Sequence, residues 1–335
     1  MKSIVFISLL LLLTGRIAAA PPHYHVTDLG GKDSAAYGSN DRGEIVGITD
    51  ARPFLWRNGK VQQLGVNAIP LGINNRSQII GSLIVNAGTS VATWKPYTRA
   101  FVLQKDVVKN LGILPGGVFA SSAKSLNDNG EIVGDSSTSG YNHAFLYRKD
   151  RMIDLGVPLG YDTSRAFAIN SWGCVAGCAS LTSGLSPSHV DAFLWQYGHW
   201  KLLGRGMRAV ALDDKADVAC TRTTQNGVST LLWKKGKWRS LGGFDAEAMN
   251  NSGQVIGASI SQGVKPRKLN NTSGFQSART AVLWQDGVLY RLNNLVPVSG
   301  WDFTDARNIN SHGQIVGFGI HNGKTHAFLL TPITK

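Results

Sequence analysis

A nine-residue pattern recurs seven times along this chain and constrains the fold more than any other feature. It is clearest as SNDRGEIVG (Ser39 to Gly47), LNDNGEIVG (Leu126 to Gly134), MNNSGQVIG (Met249 to Gly257) and INSHGQIVG (Ile309 to Gly317). Looser copies run from Ile73 to Gly81, from Ile169 to Gly177 and from Leu212 to Cys220. The polar residue leading each copy stands at Asn40, Asn74, Asn127, Asn170, Asp213, Asn250 and Asn310, at spacings of 34 to 60 residues. Self-similarity at this period marks a propeller or a solenoid, whose units bury their faces against one another.

A second short block follows each copy, such as PFLWRNGKVQQLG from Pro53 or HAFLYRKDRMIDLG from His143. Each unit therefore reads as four strands. Strand a ends at the Asn, and N-x-x-G is a tight turn in which Asn accepts backbone hydrogen bonds and Gly supplies positive φ. Strand b is E/Q-I-V-G, strand c is F-L-W, and a polar turn leads to strand d, ending Leu-Gly. Short strands joined by tight turns form a small antiparallel sheet. Both central residues of strand b are apolar, as in Ile45-Val46, Ile132-Val133 and Ile315-Val316. Adjacent strand residues point to opposite faces, so both faces of each sheet must be covered. A ring of blades does this. The seventh unit stops after His326 to Leu330 without a strand d, while the chain begins with His25 to Gly30, a strand d without a preceding c. Joining them predicts an all-β fold, a seven-bladed β-propeller of four-stranded blades closed by the N-terminal strand. Six or eight blades and a β-solenoid are the alternatives, the last fitting the uneven spacing less well.

His-Ala-Phe-Leu at His143 to Leu146 and His326 to Leu329, the I-N-x-x-G-x-I-V-G pattern, and D-L-G at Asp28 to Gly30 and Asp154 to Gly156 together carry a resemblance. The chain resembles the HAF-repeat family of predicted extracellular proteins over essentially its whole mature length. The resemblance implies an exported repeat protein and brings no catalytic residues. The fifth unit departs from the pattern at Asp213, Ala216 and Cys220 and has Leu231 in place of Phe, so a locally looser blade is expected there.

Lys2, the apolar run Ile4 to Leu13 and Ala18 to Ala20 read as a secretory signal peptide. The run is shorter than the roughly 20 residues of a membrane span. Cleavage after Ala19 is favoured over Ala20 because Pro21 would otherwise follow the cut. The expected organisation is a signal segment over 1–20 and one seven-unit propeller over 21–335, secreted or periplasmic, with no integral membrane segment once the signal is removed. Formal charge is +13, or +11 without Lys2 and Arg16, which suits anionic polymers or serves solubility alone. Cys174, Cys178 and Cys220 read as small core residues, with a Cys178–Cys220 bridge between adjacent blades as the pairing that strand parity allows.

With strand d outermost, strand a lines a central channel. The b-to-c and d-to-a connections share one face, and the tight a-to-b and c-to-d turns share the other. Connection b-to-c is long in units two, four and six, and length variation on one face of a rigid scaffold points to binding. In unit two it carries Trp94, Lys95, Tyr97 and Arg99, whose aromatic and cationic groups suit sugars, nucleobases or acidic peptides. In unit six it carries Lys265, Arg267 and Lys268, the densest charge cluster in the chain. Trp301 joins the same face or plugs the channel. The Asn series reads as a repeated Asx turn rather than a ring of ligands, and Glu44, Gln78 and their equivalents as packing groups. No metal spacing, nucleophile elbow or phosphate-binding loop is present, so no catalytic residue, metal or cofactor is expected. Three functions remain. The first is a binding or scaffold protein for a surface glycan, an anionic polymer or a protein, with nucleic acid possible but not favoured. The second is a propeller hydrolase or lyase, which requires carboxylates or histidines converging at the channel mouth. The third is a structural surface repeat.

Overall fold

The computed structural model describes residues 20–87, 95–182, 190–225, 227–260, 267–268, 275–276, 279–297 and 300–333. The expected signal segment, apart from Ala20, and Trp94 and Lys265 thus lie outside the described residues. Seven four-stranded antiparallel sheets form a ring, as the repeat count predicts. Blade one runs Ala35–Ser39, Ile45–Thr49, Arg52–Arg57 and Lys60–Gln63 in the order a, b, c, d. In blade seven, strands Trp301–Ile309, Ile315–His321 and Lys324–Pro332 are completed by Tyr24–Asp28 as strand d. That seam pairs antiparallel from Tyr24 with Pro332 to Asp28 with Phe328. Among the described residues no helix is long and apolar enough to cross a membrane.

Every strand a carries a bulge three residues before its Asn, at Tyr37, Leu71, Lys124, Phe167, Val210, Glu247 and Arg307, and blade seven has a second at Thr304. A bulge bends the strand and re-aims the extra side chain. It also explains the glycine of I-V-G. A Cβ at Gly47, Gly134 or Gly317 would stand 2.1, 1.9 or 1.9 Å from the carbonyl oxygens of Ala35, Ser122 and Asp305. The same Cβ would come within 3.0 Å of the rings of Phe54, Phe145 and Phe328, which lie directly across on strand c. Blade five answers differently: Cys220 takes the glycine's place, and Leu231 faces it where the phenylalanine would be. The blade nevertheless keeps the regular pattern. It has four strands, the same bulge and the same turn, with Ala216 at φ 59° standing in for the turn glycine. All three cysteines are free and buried, so Cys178 and Cys220 are not bridged. Burial pushes the Cys174 and Cys178 thiols up to about 11 and Cys220 to about 12, which keeps them unreactive.

The H-A-F and D-L-G motifs meet in space. His143 Nδ1 lies 2.9 Å from the Asp154 carboxylate, and His326 Nδ1 lies 3.0 Å from Asp28 across the seam. The alanine N–H of the motif is met by a serine at the start of the next blade. Ala144 N donates to Ser164 Oγ (2.9 Å) and Ala327 N to Ser34 Oγ (2.8 Å). Those serines in turn donate to the carbonyls of Gly156 and Gly30. Each latch ties strand c of one blade to the connection entering the next.

Candidate binding channel and loop face

Strand a is innermost in every blade and lines the channel. At the turn end the Asn series builds a belt. Each Asn Oδ1 accepts from the N–H groups two and four residues on, as Asn40 does from Arg42 (3.1 Å) and Glu44 (2.9 Å). Each Nδ2 donates to the carbonyl of the equivalent residue in the next blade: Asn40 to Asn74, Asn74 to Asn127, Asn127 to Asn170, Asn170 to Asp213, Asn250 to Asn310 and Asn310 to Asn40, at 2.9–3.1 Å. The Asx-turn reading therefore holds, with a second, inter-blade bond that the sequence did not reveal. Asp213 has no amide to donate. The next residue of each turn adds an outer belt, in which Asn75 bridges Asp41 and Asp128, and Asn251 bonds Asp214. The polar series after the turn packs as expected: Glu44 accepts from Asn40 and Ser77 and pairs with Arg57, and Lys234 pairs with Asp217.

The loop end is different in character. A space of about 500 Å³ opens there, lined by all seven bulge residues, Tyr37, Leu71, Lys124, Phe167, Val210, Glu247 and Arg307. One step towards the loop face the equivalent positions hold Ala35, Ile69, Ser122, Arg165, Arg208, Asp245 and Asp305. Charges gather on one side. Arg307 lies 3.1 Å from Glu247 and 3.3 Å from Asp305, Arg279 Nε lies 3.0 Å from Asp305, and Arg208 lies 3.6 Å from Asp245. Burial pushes the Glu247 and Asp305 carboxyls up, while Arg307 and Arg279 pull them down. Asp135 is also pushed up by burial, with Lys124 and Arg165 opposing. Carboxylates thus converge at the mouth, as the hydrolase reading requires, but Asp245, Glu247 and Asp305 are each held by a guanidinium. Among the described residues no group of three His, Cys, Asp or Glu is placed to hold a metal ion.

The site residues read from the sequence fall into three groups. Tyr97 and Arg99 sit on the loop face, in strand c of blade two (Lys95–Gln104), where Tyr97 pairs with Val85 and Arg99 with Leu83. The Arg99 guanidinium donates to the carbonyls of Thr98 (3.0 Å) and Phe119 (2.9 Å), fastening the hairpin to the connection entering blade three. For Lys95, Arg267 and Lys268 only the backbone is described: Lys95 pairs with Ala87, and Arg267–Lys268 pairs with Phe275–Gln276 within the b-to-c connection of blade six. Trp301 is corrected. It opens strand a of blade seven at the loop-face end, opposite His321 of the b-to-c hairpin, but it is 7% exposed and packs between Phe303 (5.5 Å) and His321 (4.5 Å) inside the blade, so its indole neither plugs the channel nor is presented to a ligand. The channel-facing bulge residues were missed; their signal was the third position before each Asn.

The sequence matches no family model, and no curated protein matches it. Solved structures do resemble it. The β-propeller domain of the Trilobed protease from Pyrococcus furiosus, described as having an open velcro topology, aligns over 94% of this chain and 97% of its own at 10% identity, TM-score 0.54. The Pyrococcus horikoshii acylaminoacyl peptidase aligns over 90% of this chain and 52% of its own at 10% identity, TM-score 0.51. A gluconolactonase from Xanthomonas campestris aligns over 94% and 96% at 11% identity, TM-score 0.44. At such identities the first two likenesses speak for the propeller fold alone.

Proposed function

We propose that this chain is an exported binding and scaffold protein that engages an acidic glycan or other anionic polymer at the loop-side mouth of its channel. One observation carries the reading. The seven bulge positions are structurally equivalent, yet they hold seven different residue types, while the turns and cores around them repeat. A scaffold that varies where it faces its channel, between repeated turn asparagines and repeated core residues, is organised for recognition. At the mouth Lys124, Arg165, Arg208, Arg279 and Arg307 stand against Asp135, Asp245, Glu247 and Asp305, and this small cationic excess, with the cationic b-to-c connections of units two and six, favours an acidic partner. Export and the HAF-repeat resemblance belong to the same reading.

The test is an array of glycans and anionic polymers probed at low and moderate salt, with a Lys124→Gln/Arg208→Gln variant alongside the wild type. Acidic polymers should bind, weaken as salt rises and lose affinity about tenfold or more in the variant. No binding to any member would overturn the reading and turn the search to protein partners or to a purely structural role. The hydrolase alternative rests on the convergence of Asp245, Glu247 and Asp305. All three are held in ion pairs by Arg208, Arg279 and Arg307, which weighs against general acid or base work by them. Polymer cleavage by the wild type that vanishes in Glu247→Gln would replace binding with hydrolysis.

A further inference from the structure

On the opposite, turn-bearing face, a cleft of about 620 Å³ runs between blades three and four. Its two walls differ. Blade four supplies Trp172 from its a-to-b turn, Trp195 from the end of strand c and Tyr197 from its c-to-d turn. Blade three supplies Asn129, Glu131 and Arg148 beside the apolar Leu146 and Ile153. Trp172 is 68% exposed and Tyr197 75%. Nothing in the fold requires either. At the position of Trp172 the other turns carry Arg42, Arg76, Asn129, Lys215, Ser252 and His312. At the position of Tyr197 they carry Asn58, Lys105, Lys149, Lys235 and Asp286. Tyr197 shares φ 50° with its equivalents, which range from 48° to 53°, so the turn itself asks for Asn or Asp and gives no reason for an aromatic ring. A solvent-facing tyrosine at such a position, beside a solvent-facing tryptophan, marks a place organised for contact with a ligand. Among the described residues none of the three rings stacks on another aromatic side chain, so the space between the walls is open to a ligand. Glu131 is preset by Asn127 Nδ2, which donates to its Oε2 at 2.8 Å, and Asn129 Nδ2 donates to the Ser171 carbonyl at 3.0 Å.

The geometry points to a saccharide site in this inter-blade cleft, taking a neutral pyranose with its C–H face against Trp172 and Tyr197 and its hydroxyls towards Glu131 and Arg148. Aromatic rings suit an apolar sugar face, and the carboxylate and guanidinium supply an acceptor and donors for hydroxyls. The two charges on the polar wall cancel, which favours a neutral sugar over a polyanion. The cleft lies on the face away from the channel mouth and stands or falls independently of it.

Calorimetric titration with tetrasaccharides of β-1,4-linked glucose, mannose and galactose tests the site, using the wild type, Trp172→Ala and Tyr197→Asn. At least one sugar should bind with little dependence on salt, and both variants should weaken it about tenfold or more. Tyr197→Asn should meanwhile keep or raise the melting temperature, because Asn tolerates positive φ, so that loss of binding is not loss of fold. Absence of binding at millimolar sugar, or binding unchanged in Trp172→Ala, would overturn the proposal. So would binding confined to acidic polymers that survives in Trp172→Ala and is lost in Arg148→Gln.

Discussion

At position 220 a thiol occupies space that a phenyl ring fills in five other blades. Gly47, Gly81, Gly134, Gly177 and Gly317 face Phe54, Phe101, Phe145, Phe193 and Phe328, whereas Cys220 faces Leu231. The two departures are one compensated exchange of volume across a strand pair. Leu231→Phe alone should overpack the blade by about 1–3 kcal/mol. Cys220→Gly alone should leave a void, at a cost of about 1–2 kcal/mol by the logic of buried truncations. The double variant Cys220→Gly/Leu231→Phe should recover most of both losses, seen as denaturation midpoints with a coupling of about 1 kcal/mol or more. Strictly additive losses would show that the residues do not share that space. Both departures were legible in the sequence, but their partnership was not, because it depends on strand register. The same gap explains other residues. Ser299-Gly300 ahead of Trp301 is a turn signal, with Gly300 at φ 55°, but the burial of the indole rests on its packing against Phe303 and His321 and so was hidden. Trp172 and Tyr197 each look like an ordinary turn residue until blade packing brings them to one cleft.

Strand order, the seam and the position of the turns follow from the spacing of Asn, Gly and apolar pairs, because those residues act locally. The links between blades depend on tertiary packing, and the sequence showed their parts without their pairing. Ser34 is the clearest case. It is buried, accepts the Ala327 N–H and donates to the Gly30 carbonyl, so it closes the seam from the blade-one side. Ser34→Ala leaves the Ala327 N–H buried without that partner, at an expected cost of about 1–3 kcal/mol. Hydrogen exchange at Ala327 should accelerate accordingly, and unchanged protection would mean that the strand seam holds without the latch. In the neighbouring His326–Asp28 pair the carboxylate is partly open to solvent, so Asp28→Asn should cost only about 0–1 kcal/mol.

Around the whole ring, six of seven blades pass a hydrogen bond from an Asn side chain to the next blade's backbone, and the link from Asp213 to Asn250 is missing. Asp213 Oδ1 still accepts from Lys215 N (2.9 Å) and Asp217 N (2.8 Å), so the turn forms, but the carboxylate has no N–H to offer. Asp213→Asn should supply it, and the new amide also meets the Asp217 carboxylate as Asn40 meets Glu44. The expected gain at neutral pH is about 1 kcal/mol, the net value of one more internal hydrogen bond. Its pH dependence has a definite sign. Burial pushes the Asp213 carboxyl up and the Asp217 carboxylate adds to this, against the N–H groups of Asp217 and Lys215 and the Lys215 charge. Lys234 pairs with Asp217. A carboxyl raised on folding binds its proton more tightly in the native state. Its contribution is therefore fully present below the unfolded value of about 3.9 and is lost as pH rises through the folded value. Asn does not titrate. The advantage of Asp213→Asn over the wild type should be smallest in acid, widen as pH rises through that window and level off towards neutrality. Melting temperatures across that range measure it directly. A variant less stable than the wild type at neutral pH would mean that the ionised carboxylate, held among Lys215 and the Lys234–Asp217 pair, contributes more to the ring than the missing link would.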